Sequence, residues 1–161
     1  MDKVFNGPLE VGLRVLVILG EAFPSTLDVS RLVIYDHIIL HSDDFGGPAS
    51  LVPPLPIRVG ELGPKRQRIK GGLQLLIRAD LVSVGLSRSG IEYGATDRAE
   101  PFLKLLESPY TQKLRDRASW ARQKVDLSEE ENLRRQMGQI SDHWVEEFEL
   151  YETWGETPWN V

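Results

Sequence analysis

The spacing of apolar residues predicts a mainly α-helical chain with one small β-hairpin. Between residues 61 and 78 the apolar side chains recur every three or four positions, as on one face of a helix. From 81 to 96 they alternate instead, on either side of a turn at Ser87–Gly90. Two further helical stretches come first, so three helices precede the hairpin. This order predicts a winged helix-turn-helix domain, a fold that serves both DNA binding and protein assembly.

The first two helices are expected at Pro8 to about Ala22 and at about 27–41. The first is apolar over most of its circumference. It is therefore either a central core helix or a helix that packs on its own domain and on a partner. The Pro- and Gly-rich connection from 42 to 56 is predicted to be an ordered surface loop rather than a polyproline ligand.

Helices are also expected at 97–107, from 109 to about 125, and from Ser128 onward. We divide the chain into a winged-helix domain with flanking helices, residues 1–125, and an acidic amphipathic C-terminal helix and tail, residues 126–161. The stripe along the last helix is predicted to fold back on the subunit or to fill a groove on a partner. Its candidate partner-binding residues are Leu133, Met137, Ile140, Trp144, Phe148 and Tyr151.

Composition narrows the function classes. The 161 residues include no cysteine, which excludes disulfides, thiolate catalysis and cysteine-ligated zinc. No apolar run approaches about 18 residues, and the start lacks the pattern of a signal peptide. We therefore expect a cytoplasmic protein without a membrane partner.

Charge is unevenly distributed along the chain. Residues 58–88 contain seven basic and two acidic residues, whereas residues 129–161 contain two basic and nine acidic ones. A free-standing DNA-binding protein usually presents a positive face, yet this chain has a net charge of −5. The distribution favours a subunit of an assembly.

The basic third helix leaves two functions open. Its candidate DNA contacts, together with one residue of the hairpin turn, are Lys65, Arg68, Lys70 and Arg88. Its outward face contains Gln67 and Gln74, which could read a major groove, but also Gly71 and Leu75, which favour a flat contact with protein. The two kinds of contact are compatible with each other.

One buried charge is predicted. Asp36 falls near the centre of the inward face of the second helix, where an unpaired carboxylate would be costly. Arg66 holds the matching position on the third helix. The pattern therefore predicts a structural ion pair between Asp36 and Arg66.

No catalytic or metal site emerges from the motifs. His37 and His41 have the spacing of two metal ligands, but a third ligand would have to come from the adjacent turn. Residues 85–90 lack the glycine that a nucleophile elbow needs after its serine. There is no Walker-type glycine loop. We expect a protein that is not an enzyme and has no cofactor or metal.

Several segments resemble the middle components of bacterial ABC-three-component systems. They lie in order within about residues 4–125 and include 6–14, 32–36, 41–42, 47–51, 58–61, 69–73 and 95–102. Among these systems the chain resembles the small accessory subunit of the Lamassu anti-phage defence complex.

The resemblance implies a non-catalytic adaptor. Its partners would be an SMC/Rad50-like ATPase subunit, an effector nuclease subunit and, through the assembled complex, foreign DNA. A winged-helix transcriptional regulator is the alternative from another class.

Overall fold

The computed structural model describes residues 7–51, 62–88 and 90–124, together with residue 135. Within these ranges five α-helices pack around a shared core, with one of them at its centre, and one antiparallel hairpin extends from it. The helices are α1 (Pro8–Ala22), α2 (Val29–Leu40), α3 (Leu62–Arg78), α4 (Ala99–Lys104) and α5 (Pro109–Lys124). The strands are β1 (Val82–Ser87) and β2 (Gly90–Ala95), and a 3-10 helix spans Ser42–Phe45. The predicted mainly helical fold with a small hairpin is confirmed.

Helix α1 lies at the centre of the fold. It contacts all four other helices and strand β2. Apolar residues on both of its flanks, among them Val15 and Leu19, are fully buried. A helix that is apolar on nearly every side needs neighbours on nearly every side. The structure thus confirms the prediction of a central core helix.

The first two helices begin where the sequence places their starts. Pro8 opens α1, and the carbonyl of Gly7 accepts from the backbone N–H of Val11 at 3.0 Å. The carboxylate of Asp28 caps α2 by accepting from the backbone N–H of Arg31 at 2.8 Å. The Asp28 contact satisfies a backbone N–H that the start of a helix would otherwise leave unpaired, whereas the Gly7 contact is the first regular hydrogen bond of α1.

Leu27, in the connection between α1 and α2, forms an antiparallel bridge with strand β2 of the hairpin. Leu27 donates its backbone N–H to the carbonyl of Tyr93 at 2.9 Å, and Tyr93 returns the bond at 2.8 Å. This bridge lies on the edge of β2 opposite β1, with which β2 pairs from Val82↔Ala95 to Ser87↔Gly90. The base of the hairpin is therefore anchored to the connection between the first two helices.

The loop after α2 is held by α5. The structure describes this connection as far as residue 51. In this part the carbonyl of Ala49 accepts from Nη2 of Arg117 in α5 at 2.7 Å. The Trp120 ring lies so close over Gly47 that a Cβ there would meet it. The prediction of an ordered loop is confirmed for this part.

The C-terminal stripe lies outside the described residues, as does most of the predicted 126–161 unit. The division into two units therefore stays a prediction. Within the described ranges, no helix has the length and apolar character needed to cross a membrane.

Helices α1 and α3 cross at two glycines. A Cβ added to Gly72 would lie 3.0 Å from the backbone N and 3.1 Å from the Cα of Gly12. Such distances are shorter than ordinary van der Waals contact. The absence of a side chain at Gly72 lets the two backbones pack directly against each other.

Gly72→Ala should therefore destabilise the subunit. Overpacking at a rigid backbone contact typically costs about 1–3 kcal/mol. The gain in helix propensity is at most about 1 kcal/mol and offsets only the lower end of that cost. Urea unfolding of the variant would measure the loss. Gly71→Ala is the matched control, because a Cβ at Gly71 meets nothing within 4 Å. Equal stability changes in the two variants would contradict the close crossing.

Candidate functional site

A buried ionic cluster joins the first three helices. Arg14 of α1 places its Nε 2.6 Å from Oδ1 of Asp36 in α2, and Lys65 of α3 places its Nζ 3.0 Å from Oδ2 of the same carboxylate. Asp36 is only 1% exposed and Arg14 only 2%. A carboxylate taken so far from water needs such partners. The cluster therefore fixes α1, α2 and α3 relative to one another.

The partner predicted for Asp36 was wrong. In the described part of the chain the ion pairs of Asp36 are with Arg14 and Lys65, not with Arg66. Arg66 is buried, as expected, but its Nη1 donates to Oγ of Ser30 at 2.8 Å. Arg66 faces the first turn of α2, whereas Asp36 lies about two turns further along that helix.

The cluster shifts the pKa values of Asp36 and Arg14. Burial by itself would raise the pKa of Asp36, but Lys65 and Arg14 outweigh it and hold that pKa well below its usual value. Burial lowers the pKa of Arg14, but the neighbouring carboxylate raises it above its usual value. Asp36 therefore stays ionised in the folded protein at neutral pH.

A histidine pair lies beside the cluster. The ring centroids of His37 and His41 are 4.6 Å apart, and Phe45 meets His37 edge-on. Burial, followed by the charge of Lys65, lowers the pKa of His37 well below 6.5. His37 is therefore neutral at pH 7. Among the described residues no group of three or more potential metal ligands is found.

The four candidate DNA contacts do not form one surface. Lys65 turns inward to Asp36 and its side chain is only 18% exposed, so its assignment as a phosphate contact needs correction. Arg68 is exposed, whereas Lys70 is partly buried and its pKa is lowered by burial and by Arg66. Two positions along a helix correspond to a rotation of about 200°, so Arg68 and Lys70 lie on different sides of α3. Arg88 is exposed at the hairpin turn.

The outward face of α3 matches the sequence prediction. Gln67, Arg68, Gln74 and Arg78 are exposed, and Leu75 is 37% exposed. Gly71 lies at the centre of this face, on the side of the helix away from the buried Ile69 and Leu76.

Apolar side chains also reach the surface on the hairpin. The register places Val84 and Leu86 of β1 opposite Tyr93 and Ile91 of β2, on one face of the ribbon. Val82 at the base of that face is buried, but Val84 is 54% and Leu86 87% exposed. The same face thus joins the core at one end and meets solvent at the other.

Sequence reasoning missed Arg14 as a member of the site. The available signal was a single arginine in the narrow polar strip of a helix that is otherwise apolar. Such a residue is either solvated or paired inside the protein, and the structure shows that Arg14 is buried and paired.

The sequence of the chain matches a known protein family. Residues 4–147 match the model of middle component 2 of the ABC-three component systems. The chain belongs to this family. Searches of curated proteins and of solved structures each gave no significant match.

Removal of the buried carboxylate should be costly. Asp36→Ala leaves Arg14 buried without its counter-ion and should lower the free energy of unfolding by about 3–5 kcal/mol. Arg98→Ala is the control, since it removes a largely exposed pair with Asp80 and should cost less than about 1 kcal/mol. A loss below about 0.5 kcal/mol for Asp36→Ala in urea unfolding would contradict the buried cluster.

Acid should destabilise the fold through His37. The pKa of His37 is about 6.5 in the unfolded chain and lower in the folded one, so the unfolded state binds more protons between these values. The contribution of His37 to the free energy of unfolding is fully present above about pH 6.5. It decreases as the pH falls below this value, by at most about 1.4 kcal/mol per pH unit for one proton. His37→Gln should flatten this part of the stability profile between pH 7.5 and 5, compared with His41→Gln. An unchanged slope would exclude His37 as the cause.

Proposed function

We propose that this chain is a non-catalytic adaptor subunit that links an SMC/Rad50-like ATPase to an effector nuclease in anti-phage defence. The observation that carries the proposal is its membership of a middle-component family over residues 4–147. A middle component belongs to a system with further components, so its function includes contact with them. The resemblance to the Lamassu accessory subunit supplies the proposed identities of those partners and a cytoplasmic location.

The proposal includes a winged-helix domain. Its support is the chain order of α1, α2, α3 and hairpin, together with the bridge between Leu27 and Tyr93. The bridge adds a third strand position beside β2, at the base of a wing formed by β1 and β2. Helix α3 comes directly before this wing, as a recognition helix does in such domains.

The absence of catalysis is also a proposal. It is supported by the interactions of the buried charged side chains with one another and with Ser30. Asp36 is neutralised by Arg14 and Lys65, and Arg66 binds Ser30. These groups serve the packing of helices and leave the outward surfaces for binding.

Co-expression with the neighbouring genes of its own operon tests the proposal. The adaptor function predicts that a tag on this chain recovers the large ATPase and the effector as one complex through size-exclusion chromatography. Recovery of the chain alone, as a stable dimer that binds a specific DNA sequence, would contradict it. That result would support the alternative, a winged-helix transcriptional regulator, for which Gln67, Arg68 and Gln74 would be the reading residues.

DNA contact by the assembled complex is a separate prediction. Lys70→Ala combined with Arg88→Ala should weaken DNA binding and make its salt dependence shallower by nearly one unit per lost contact. Arg68, on the outward face of α3, is kept unchanged so that assembly of the complex is not altered. Lys65 is kept unchanged because it neutralises Asp36. Filter binding over a range of salt concentrations would measure both effects. Unchanged affinity and slope would leave these cations as protein contacts or solvated charge.

A further inference from the structure

Among the described residues, no contact requires glycine at position 71. An ideal Cβ at this position meets nothing within 4 Å. Glycine in the middle of a helix is less favourable than alanine, because it loses more conformational freedom on folding. Its neighbour Gly72 is different, since a Cβ there would meet the backbone of Gly12. The described part of the subunit thus explains Gly72 but not Gly71.

The surroundings of Gly71 are those of a contact surface. Arg68 and Arg78 are exposed, and neither has an ion pair among the described residues. Gln67 and Gln74 are neutral, and Leu75 is a partly exposed apolar side chain next to the glycine. This outer face of α3, residues 67, 68, 71, 74, 75 and 78, has two cations and no acidic residue.

The adjacent residue, about 100° around the helix axis, shows what such a glycine permits. There Gly72 lets the backbone of α1 approach within direct contact at Gly12. A glycine at the centre of an outward face offers an incoming helix the same close approach. Base reading requires side chains that reach into the major groove, and Gly71 provides none at the centre of the face. The geometry therefore favours a helix over DNA.

We infer that the outer face of α3 is the docking site for a helix of another subunit of the same three-component system. That helix has a small residue where it crosses Gly71 and carboxylates opposite Arg68 and Arg78. The inference rests on the proposed function, because it assumes that partner subunits bind this chain. It adds the surface at which one of them binds and the chemistry of the helix that occupies it.

Substitution at Gly71 separates folding from binding. Gly71→Ala should raise the Tm of the isolated subunit by about 2–4 °C, because helix propensity improves and no neighbour is displaced. The same change should weaken binding to the co-expressed operon subunits, and Gly71→Leu should reduce their recovery at least tenfold. Gln112→Leu on the exposed side of α5 is the control and should leave recovery unchanged.

A charge-reversal arm tests the chemistry of the occupant. Arg68→Glu combined with Arg78→Glu should also reduce recovery of the operon subunits, and more strongly at low salt than at high salt. A photo-crosslinking residue at Gln74 should form a covalent product with an acidic helical segment of one of those subunits. Crosslinking to a second copy of this chain or to DNA would overturn the inference.

The outcomes distinguish this inference from the proposed function. If the wild-type chain recovers no operon subunit, the proposed function fails. If the wild type recovers them and Gly71→Leu does so equally well, only the docking site on α3 is overturned. A lower Tm of isolated Gly71→Leu, with Gln112→Leu unaffected, would show that the subunit covers this face itself, which also overturns the inference.

Discussion

The carboxylate of Asp36 is the constraint on which the arrangement of the first three helices depends. It is buried and ionised, so it must lie between Arg14 and Lys65 at the distances observed. Apolar contacts tolerate small rotations of a helix, but a buried ion pair loses much of its stabilisation when its geometry changes. The cluster therefore fixes the rotation of α3 about its own axis, and with it the residues that face outward.

The cluster also reduces the positive charge that α3 presents at its surface. Four cations lie close together in the sequence, but Lys65 and Arg66 are used inside the fold, by Asp36 and Ser30. Arg68 remains on the outer face and Lys70 on a flank. The net charge of the segment thus overstates the positive surface that a partner meets. This difference favours a subunit that binds protein through a small mixed face over one that binds DNA through a continuous basic face.

Sequence periodicity predicted the helices and the hairpin because each pattern is local. The burial of α1 and of Asp36 also followed from single helices. The partner of Asp36 did not, since Arg14 is 22 residues away on a helix whose polar strip is equally compatible with solvent. The bridge from Leu27 to Tyr93 was equally hidden, because one extended residue carries no period. Interactions that depend on how two helices meet, or on the reach of one long side chain, are not encoded in local patterns.

The central claim is that α3 uses one side for its own subunit and the other for a partner. Hydrogen–deuterium exchange of the isolated chain and of the complex assembled from its operon tests this most directly. The account predicts that assembly slows exchange in peptides covering 62–78, whereas exchange in α2, already buried in the subunit, changes little. Unchanged exchange across 62–78, with new protection confined to α5 or to the hairpin, would contradict it.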